Sequence, residues 1–236
     1  MITSTILFRL IFAHILSDFF FQTESMVQGK LNKGIKHWGY LTLHSLIHAI
    51  VTFIMLAQWT LWYVPAVIFI THFITDMIKS KFDNRKPSVF LADQAAHIII
   101  LVLLWLYILP INTQDVVTNV LSCLPHNYWL LLTAYFLMLK PTSILLSLLL
   151  NKWSLSDSIN NSLSGAGKWI GYIERIMVLT FVITNNIEGV GFLLAAKSVF
   201  RFGDLNKSKD IKMTEYVMIG TMTSFAIAII TGLIVK

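Results

Sequence analysis

The stretch Leu7 to Gln22, LFRLIFAHILSDFFFQ, decides how the rest of the chain is read. Nearly all of it is apolar, from Leu7 and Phe8 to Phe19, Phe20 and Phe21, yet His14 and Asp18 stand inside it four residues apart. Two groups able to bind a metal ion or carry a proton are thus set in a segment suited to hydrocarbon. The same spacing recurs as His44/His48, His72/Asp76 and Asp93/His97. Whether these four pairs make one site is the question the sequence poses.

The whole chain shares this character. Of 236 residues, 56% are hydrophobic and 13% charged, and the mean hydropathy is +0.71. Soluble domains carry about a quarter charged residues, and the apolar runs here are long enough to span a bilayer. No polar block is long enough for a soluble domain. The net charge of +6 is no nucleic-acid signature, because basic residues of membrane proteins gather on cytoplasmic loops. Cys123 is alone, which excludes an internal disulfide and a thiolate zinc site. A cleavable signal peptide is not expected, since His14 and Asp18 interrupt the run where its apolar core would lie.

Spans are expected at about 2–22, 41–58, 61–78, 90–109, 128–150 and 216–235. Trp38, Tyr40, Trp59, Trp62, Tyr63, Tyr128 and Trp129 serve as interface anchors near their ends. The loops after spans one, three and five carry three, four and two Lys/Arg, while those after spans two and four carry none. This alternation puts the N-terminus outside and the basic loops in the cytoplasm. A single crossing by 170–202 would leave the five basic residues Lys197, Arg201, Lys207, Lys209 and Lys212 outside. The conflict vanishes if that segment is a re-entrant pair of half-helices broken at Asn185–Gly191, covered by protein. The expectation is an all-α, polytopic transmembrane helical bundle with about six spans plus a re-entrant or broken helical pair. Residues 1–110 form a four-helix membrane domain with the His/Asp pairs, and 111–236 a C-terminal membrane region.

Residues four apart on a helix share a face. With alternating helix directions, all four pairs fall near the cytoplasmic ends of their spans. Five of seven histidines and three of twelve acidic residues meet at this level. Such groups turn toward the bundle interior and partner one another, and helical bundles build metal sites from short pairs on facing helices. Imidazole and carboxylate suit zinc foremost, and also iron, manganese or nickel. The candidate ligands of a divalent metal are His14, Asp18, His44, His48, His72, Asp76, Asp93 and His97. A carboxylate left over, from Asp18, Asp76 or Asp93, is the candidate general base. A single pair of this kind is more often a local hydrogen bond, and a structural or proton-relay network remains the rival reading.

Other polar residues speak less clearly. Lys140 falls near the middle of span five, where a charge needs a cavity or partner. Glu174 and Arg175 open the re-entrant segment and are close enough in sequence to pair with each other. Asn185, Asn186 and Glu188 can line a cavity or cap two half-helices. Lys79, Lys140, Glu174, Arg175, Lys197 and Arg201 form the candidate set for contacting an anionic head group; for Lys197 and Arg201 a solvated basic face is the plainer account. Gly167 and Gly171 have the small-xxx-small spacing of helix packing.

FAHILSDFFFQT (Phe12 to Thr23), LHSLIH in span two, THFITD with Lys79 soon after, and FLADQAAH (Phe90 to His97) resemble the bacterial and phage membrane-protein family called domain of unknown function 3307. AGKWIGYIER, GVGFLLAAKSVFRF and EYVMIGTMTSF look like the tail of its longer members. The resemblance covers about the first 110 residues and about 165–225. It implies a bacterial integral membrane protein marked by these His/Asp motifs, with no activity to carry over. HExxH and GxSxG are both absent from the sequence, which disfavours a zincin or an esterase elbow. By looser likeness to intramembrane metal-dependent hydrolases, the leading expectation is a hydrolase of a lipid or other membrane-borne substrate in the bacterial inner membrane. An ion, proton or metal transporter and a non-enzymatic scaffold are the alternatives. Membrane lipid is the expected partner, nucleic acid is not, and a homo-oligomer is compatible with the sequence.

Overall fold

The computed structural model describes residues 2–31, 34–109, 128–153, 165–199 and 208–236, and its regular elements there are all helical. It divides into two compact units, Met1–Thr133 and Ala134–Lys236. The expected loop at 111–127, with Cys123 and His126, lies outside the described residues, as do Lys33 and Arg201.

The first unit starts with α1 (Ile2–Ile15), which widens into a π-helix over Leu16–Phe21. The chain then bends by 86° into the short α2 (Glu24–Leu31). Gly34, at φ 84°, separates α2 from α3 (Ile35–Leu56). The segment read from sequence as a polar loop, Thr23 to Tyr40, is therefore mostly helix. As a result His44 and His48 lie more than two turns into α3 rather than in its first turns. Ala57 in the left-handed region ends α3, and one tight turn at Trp59–Leu61 leads to α4 (Tyr63–Lys79). Pro65 sits in the first turn of α4, and Pro87 opens α5 (Pro87–Ile108), both where no intrahelical N–H is needed.

At the end away from the polar pairs, α1, α3, α4 and α5 close on Ile6, Leu7, Leu10, Leu56, Ile68, Leu101, Leu104 and Trp105. Within lipid this packing is held by van der Waals contact rather than by water exclusion. At the other end, Gly29 of α2 lies so close to the Tyr40 ring of α3 that any Cβ would overlap it. Gly29→Ala is expected to destabilise the protein by about 1–3 kcal/mol through overpacking. Gly39→Ala, at a helical site with open space around it, should be neutral or stabilising. Thermal unfolding in detergent compares the two; equal midpoints would contradict the close α2–α3 seam.

In the second unit Pro141 breaks the expected span 128–150 into α6 (Tyr128–Leu137) and α7 (Lys140–Leu150). The boundary between the units falls within α6. The broken pair expected near 170–202 is present as α8 (Ala166–Ile183) and α9 (Ile187–Val199), with the break at Thr184–Asn186. Asn185 takes φ 62°, and Asn186 Oδ1 accepts from Gly189 N at 3.2 Å, so these asparagines shape and cap the turn. Gly189 itself lies within α9, where the Phe181 ring occupies the space of a side chain. Farther along, Lys197 donates to Glu174 at 2.6 Å, which shows α9 folded back along α8. The last helix, α10 (Ser208–Val235), brings Gly232 against Val182 of α8.

Five helical stretches are long and apolar enough to cross a bilayer: Ile35–Leu56, Trp59–Lys79, Pro87–Ile108, Tyr128–Trp153 and Lys212–Val235. Thr5–Phe21, bent into Glu24–Leu31, makes a sixth when that pair is taken as one. The fold is the expected all-α bundle of a membrane protein.

Candidate metal centre

The four pairs converge. Asp18 is the hub: His44 Nε2 and His48 Nε2 each donate to its Oδ1 at 3.0 Å, and Gln94 Nε2 donates to Oδ2 at 3.0 Å. His72 Nε2 lies 3.5 Å from Oδ1 and His14 Nε2 3.6 Å from Oδ2. The carboxylate projects from the π-helical segment Leu16–Phe21, the one departure from α-geometry in the spanning part of this stretch. Single π-turns in helices often mark functional sites.

The imidazoles are packed against one another. His48 and His72 stack with ring centroids 3.5 Å apart, and His72 and His97 stack at 4.2 Å. All five histidines of the pairs are buried. The other two carboxylates complete the cluster. Asp76 accepts from Lys30 and lies 3.7 Å from His44 Nε2. Asp93 accepts from Lys79 at 2.6 Å and from Gln94 at 3.2 Å, with His97 Nε2 3.4 Å from its Oδ1. Thr75 Oγ1 lies 3.4 Å from His97 Nδ1.

Four contributors escaped sequence reasoning. Gln94 joins His14, Asp18 and Asp93 into one network, accepting from His14 Nε2 at 3.3 Å. Its signal was an amide beside Asp93 in an apolar helix. Gln22 turns its amide oxygen to Lys30 Nζ at 2.6 Å and to His44 Nε2 at 3.3 Å. Thr75 is a common helix residue and gave no signal. Lys30 comes from the stretch read as a loop; α2 carries it back beneath the bundle. There its ammonium is largely buried against Asp76.

Three groups of donor atoms lie within 4.8 Å of one another: His14/Asp18/His48/His72, His44/His72/Asp76 and Asp18/Asp93/His97. Asp18 and His72 are shared, so this is one connected centre and not four separate pairs. Ligands of a tetrahedral zinc, at bond lengths of about 2.0–2.1 Å, stand roughly 3.4 Å from one another. His48 and His72 stand 3.0 and 3.5 Å from Asp18 Oδ1, near that spacing, while His14 stands 3.6 Å from the other oxygen, Oδ2. His72 Nε2 is buried with no hydrogen-bond partner, and so is Asp93 Oδ1. A cavity of about 10 Å³, lined by His14, His48, His72 and His97, adjoins the ligand set; that is close to the space one water needs.

The candidate head-group contacts are dispersed. Lys79 touches the cluster through Asp93. Glu174 and Arg175 do not pair with each other, because adjacent helix residues point to different sides. Glu174 binds Lys197. Arg175 is buried and donates to Met138 O and Ser143 Oγ, with Ser224 Oγ also in range. These three are engaged inside the second unit. Gly171 meets the Arg175 guanidinium, not a neighbouring helix. Lys140 opens α7 and is half-buried.

A family model described as "Protein of unknown function (DUF3307)" matches residues 6–131. No curated protein and no solved structure matches the chain.

Proposed function

The chain belongs to the DUF3307 family of proteins of unknown function, and from that premise we propose that its His/Asp cluster is a divalent-cation centre for hydrolysis of a membrane-borne substrate. The observation that carries this reading is the buried donor set around Asp18, in which Asp76 and Asp93 are paired with lysines while Asp18 faces imidazoles and an amide. Buried ionisable groups of this kind are costly in a membrane unless they are paired or hold an ion.

His14, Asp18, His48 and His72 are the ligands, and zinc is the ion their chemistry suits best. A divalent ion there supplies Lewis acidity and lowers the pKa of water to near ~7. His44 and Gln94 orient the Asp18 carboxylate by hydrogen bonds, as partners behind metal ligands commonly do. Asp93 is the base: its Oδ1 is buried without a hydrogen-bond partner beside His97, while its Oδ2 accepts from Lys79. Asp76 is tied to Lys30 and lies near the same His44 Nε2 that donates to Asp18.

A transporter reading is weaker, because Leu10, Leu56, Ile68, Leu101 and Trp105 pack the far half of the same helices, where among the described residues the charged Arg9 is tied to Leu56 O at the end of α3. In this reading the basic stretches that follow the first and third spans lie on the cytoplasmic side of a bacterial inner membrane, with the centre in that leaflet. Elemental analysis of gently purified protein should find about one divalent ion per chain, removable by a chelator and restored by zinc. Protein that holds no metal and takes up none on titration would refute the centre.

A further inference from the structure

A cleft of about 470 Å³ opens between α4 and α5 beside the centre. That volume is typical of pockets for small molecules, roughly 300–1,000 Å³. Ile78, Phe82, Val89 and Ala92 make its walls apolar. Its polar floor is Asp93, the buried carboxylate of the cluster, and Thr75, whose hydroxyl meets His97. Its one lining cation is Lys79, with 29% of the side chain exposed. Exposed Lys81, Arg85 and Lys86 follow at the same end of α4.

We propose that this cleft seats an anionic membrane phospholipid, with an acyl chain against the apolar walls and the phosphate at Lys79. The chemistry of each part matches: hydrocarbon to Ile78, Phe82, Val89 and Ala92, and anionic oxygen to an ammonium at the rim. The basic residues just beyond Lys79 add a field that draws anionic lipid, worth about 1 kcal/mol per Lys or Arg near a surface. A phosphate that engages Lys79 competes with Asp93 Oδ2 for its ammonium and leaves that carboxylate to His97, 3.4 Å from its Oδ1. Occupancy of the cleft and readiness of the base are thereby linked through one lysine. That the seated lipid is the substrate rests on the metal-centre reading; the seat itself does not.

Photolabelling tests the seat without any variant. Phosphatidylglycerol carrying a diazirine in its acyl chain is added to the purified protein in detergent, with and without chelator. Adducts should concentrate between Ile78 and Ala96 in both conditions. Unlabelled phosphatidylglycerol should compete at least about fivefold better than phosphatidylcholine, the ratio that one lysine contact of this size confers. Inorganic phosphate should not compete. Lys79→Gln should lower that preference about fivefold, and Ala92→Phe should abolish labelling in the cleft while leaving adducts on α10 unchanged. Adducts spread evenly over the lipid-facing helices, equal competition by the two lipids, or displacement by inorganic phosphate would each overturn the proposal. Focused labelling in a protein that holds no metal would keep the lipid seat and remove its role as substrate; metal retention with diffuse labelling would do the reverse.

Discussion

Asp18→Asn should empty the centre: retained metal falls from about one ion per chain to under about a tenth, with affinity lowered at least about 100-fold. Loss of a partner that merely orients a ligand costs about 10–100-fold, and Asp18 is itself a ligand. It is also the atom group on which His44, His48, His72, His14 and Gln94 converge. The amide keeps the shape but lacks the negative charge that a bound cation needs at this position. Competition with a zinc-chelating dye, on protein that elutes as one symmetrical peak, measures the change. Wild-type affinity in the Asn variant would show that any bound ion sits elsewhere.

Arg175→Met should unfold the second unit at a midpoint roughly 10 °C lower. Pro141 cannot donate to Leu137 O, so at the break side chains supplement the backbone N–H donors, although Ser143 N still donates to Leu139 O. Thr142 Oγ1 donates to Leu137 O at 2.6 Å, and Arg175 Nε to Met138 O at 2.6 Å. Arg175 Nη2 donates to Ser143 Oγ at 2.7 Å and reaches Leu139 O at 3.5 Å. Each buried acceptor left without a donor costs about 1–3 kcal/mol. Removing a buried cation offsets part of this, leaving a net loss on the order of 3 kcal/mol. For a chain of this size 1 kcal/mol moves the midpoint about 2–4 °C. Arg175→Lys should recover less than half, since one ammonium cannot reproduce the guanidinium fork. A midpoint within about 1 °C of wild type for Arg175→Met would show that the kink is stable without its arginine.

Arg175 also illustrates where reading the chain alone falls short. Its position beside Glu174 invites pairing, but successive residues on a helix diverge, and each found its partner across a hairpin or a kink. Lys30 is a second case. In sequence it is one basic residue of a loop that helps set orientation; in space an 86° bend returns it to Asp76. No local pattern encodes that return, which depends on α2 packing through Gly29 onto Tyr40. The π-turn at Leu16–Phe21 is a third, for LSDFFF carries no signal that tells a π-turn from an α-turn.

What the residues alone determined is the class of the protein and the membership of its centre. Apolar runs of bilayer length can only be helices, because hydrocarbon offers no partners for backbone polar groups. Ionisable groups at four-residue spacing in such helices share a face and must turn inward together. His14 and Asp18, with the three later pairs, were therefore legible as one level of one bundle. Tertiary structure decided which atoms meet: Asp18 as the hub, Gln94 as the bridge, and Lys30 and Lys79 as the two balancing cations. It also decided the partners of Glu174, Arg175 and Lys197, all within the second unit. The reason is one of range. Period and hydropathy act within a helix, whereas contacts of 3.0–3.6 Å around Asp18 arise between helices, from bends, kinks and packing that no single helix specifies.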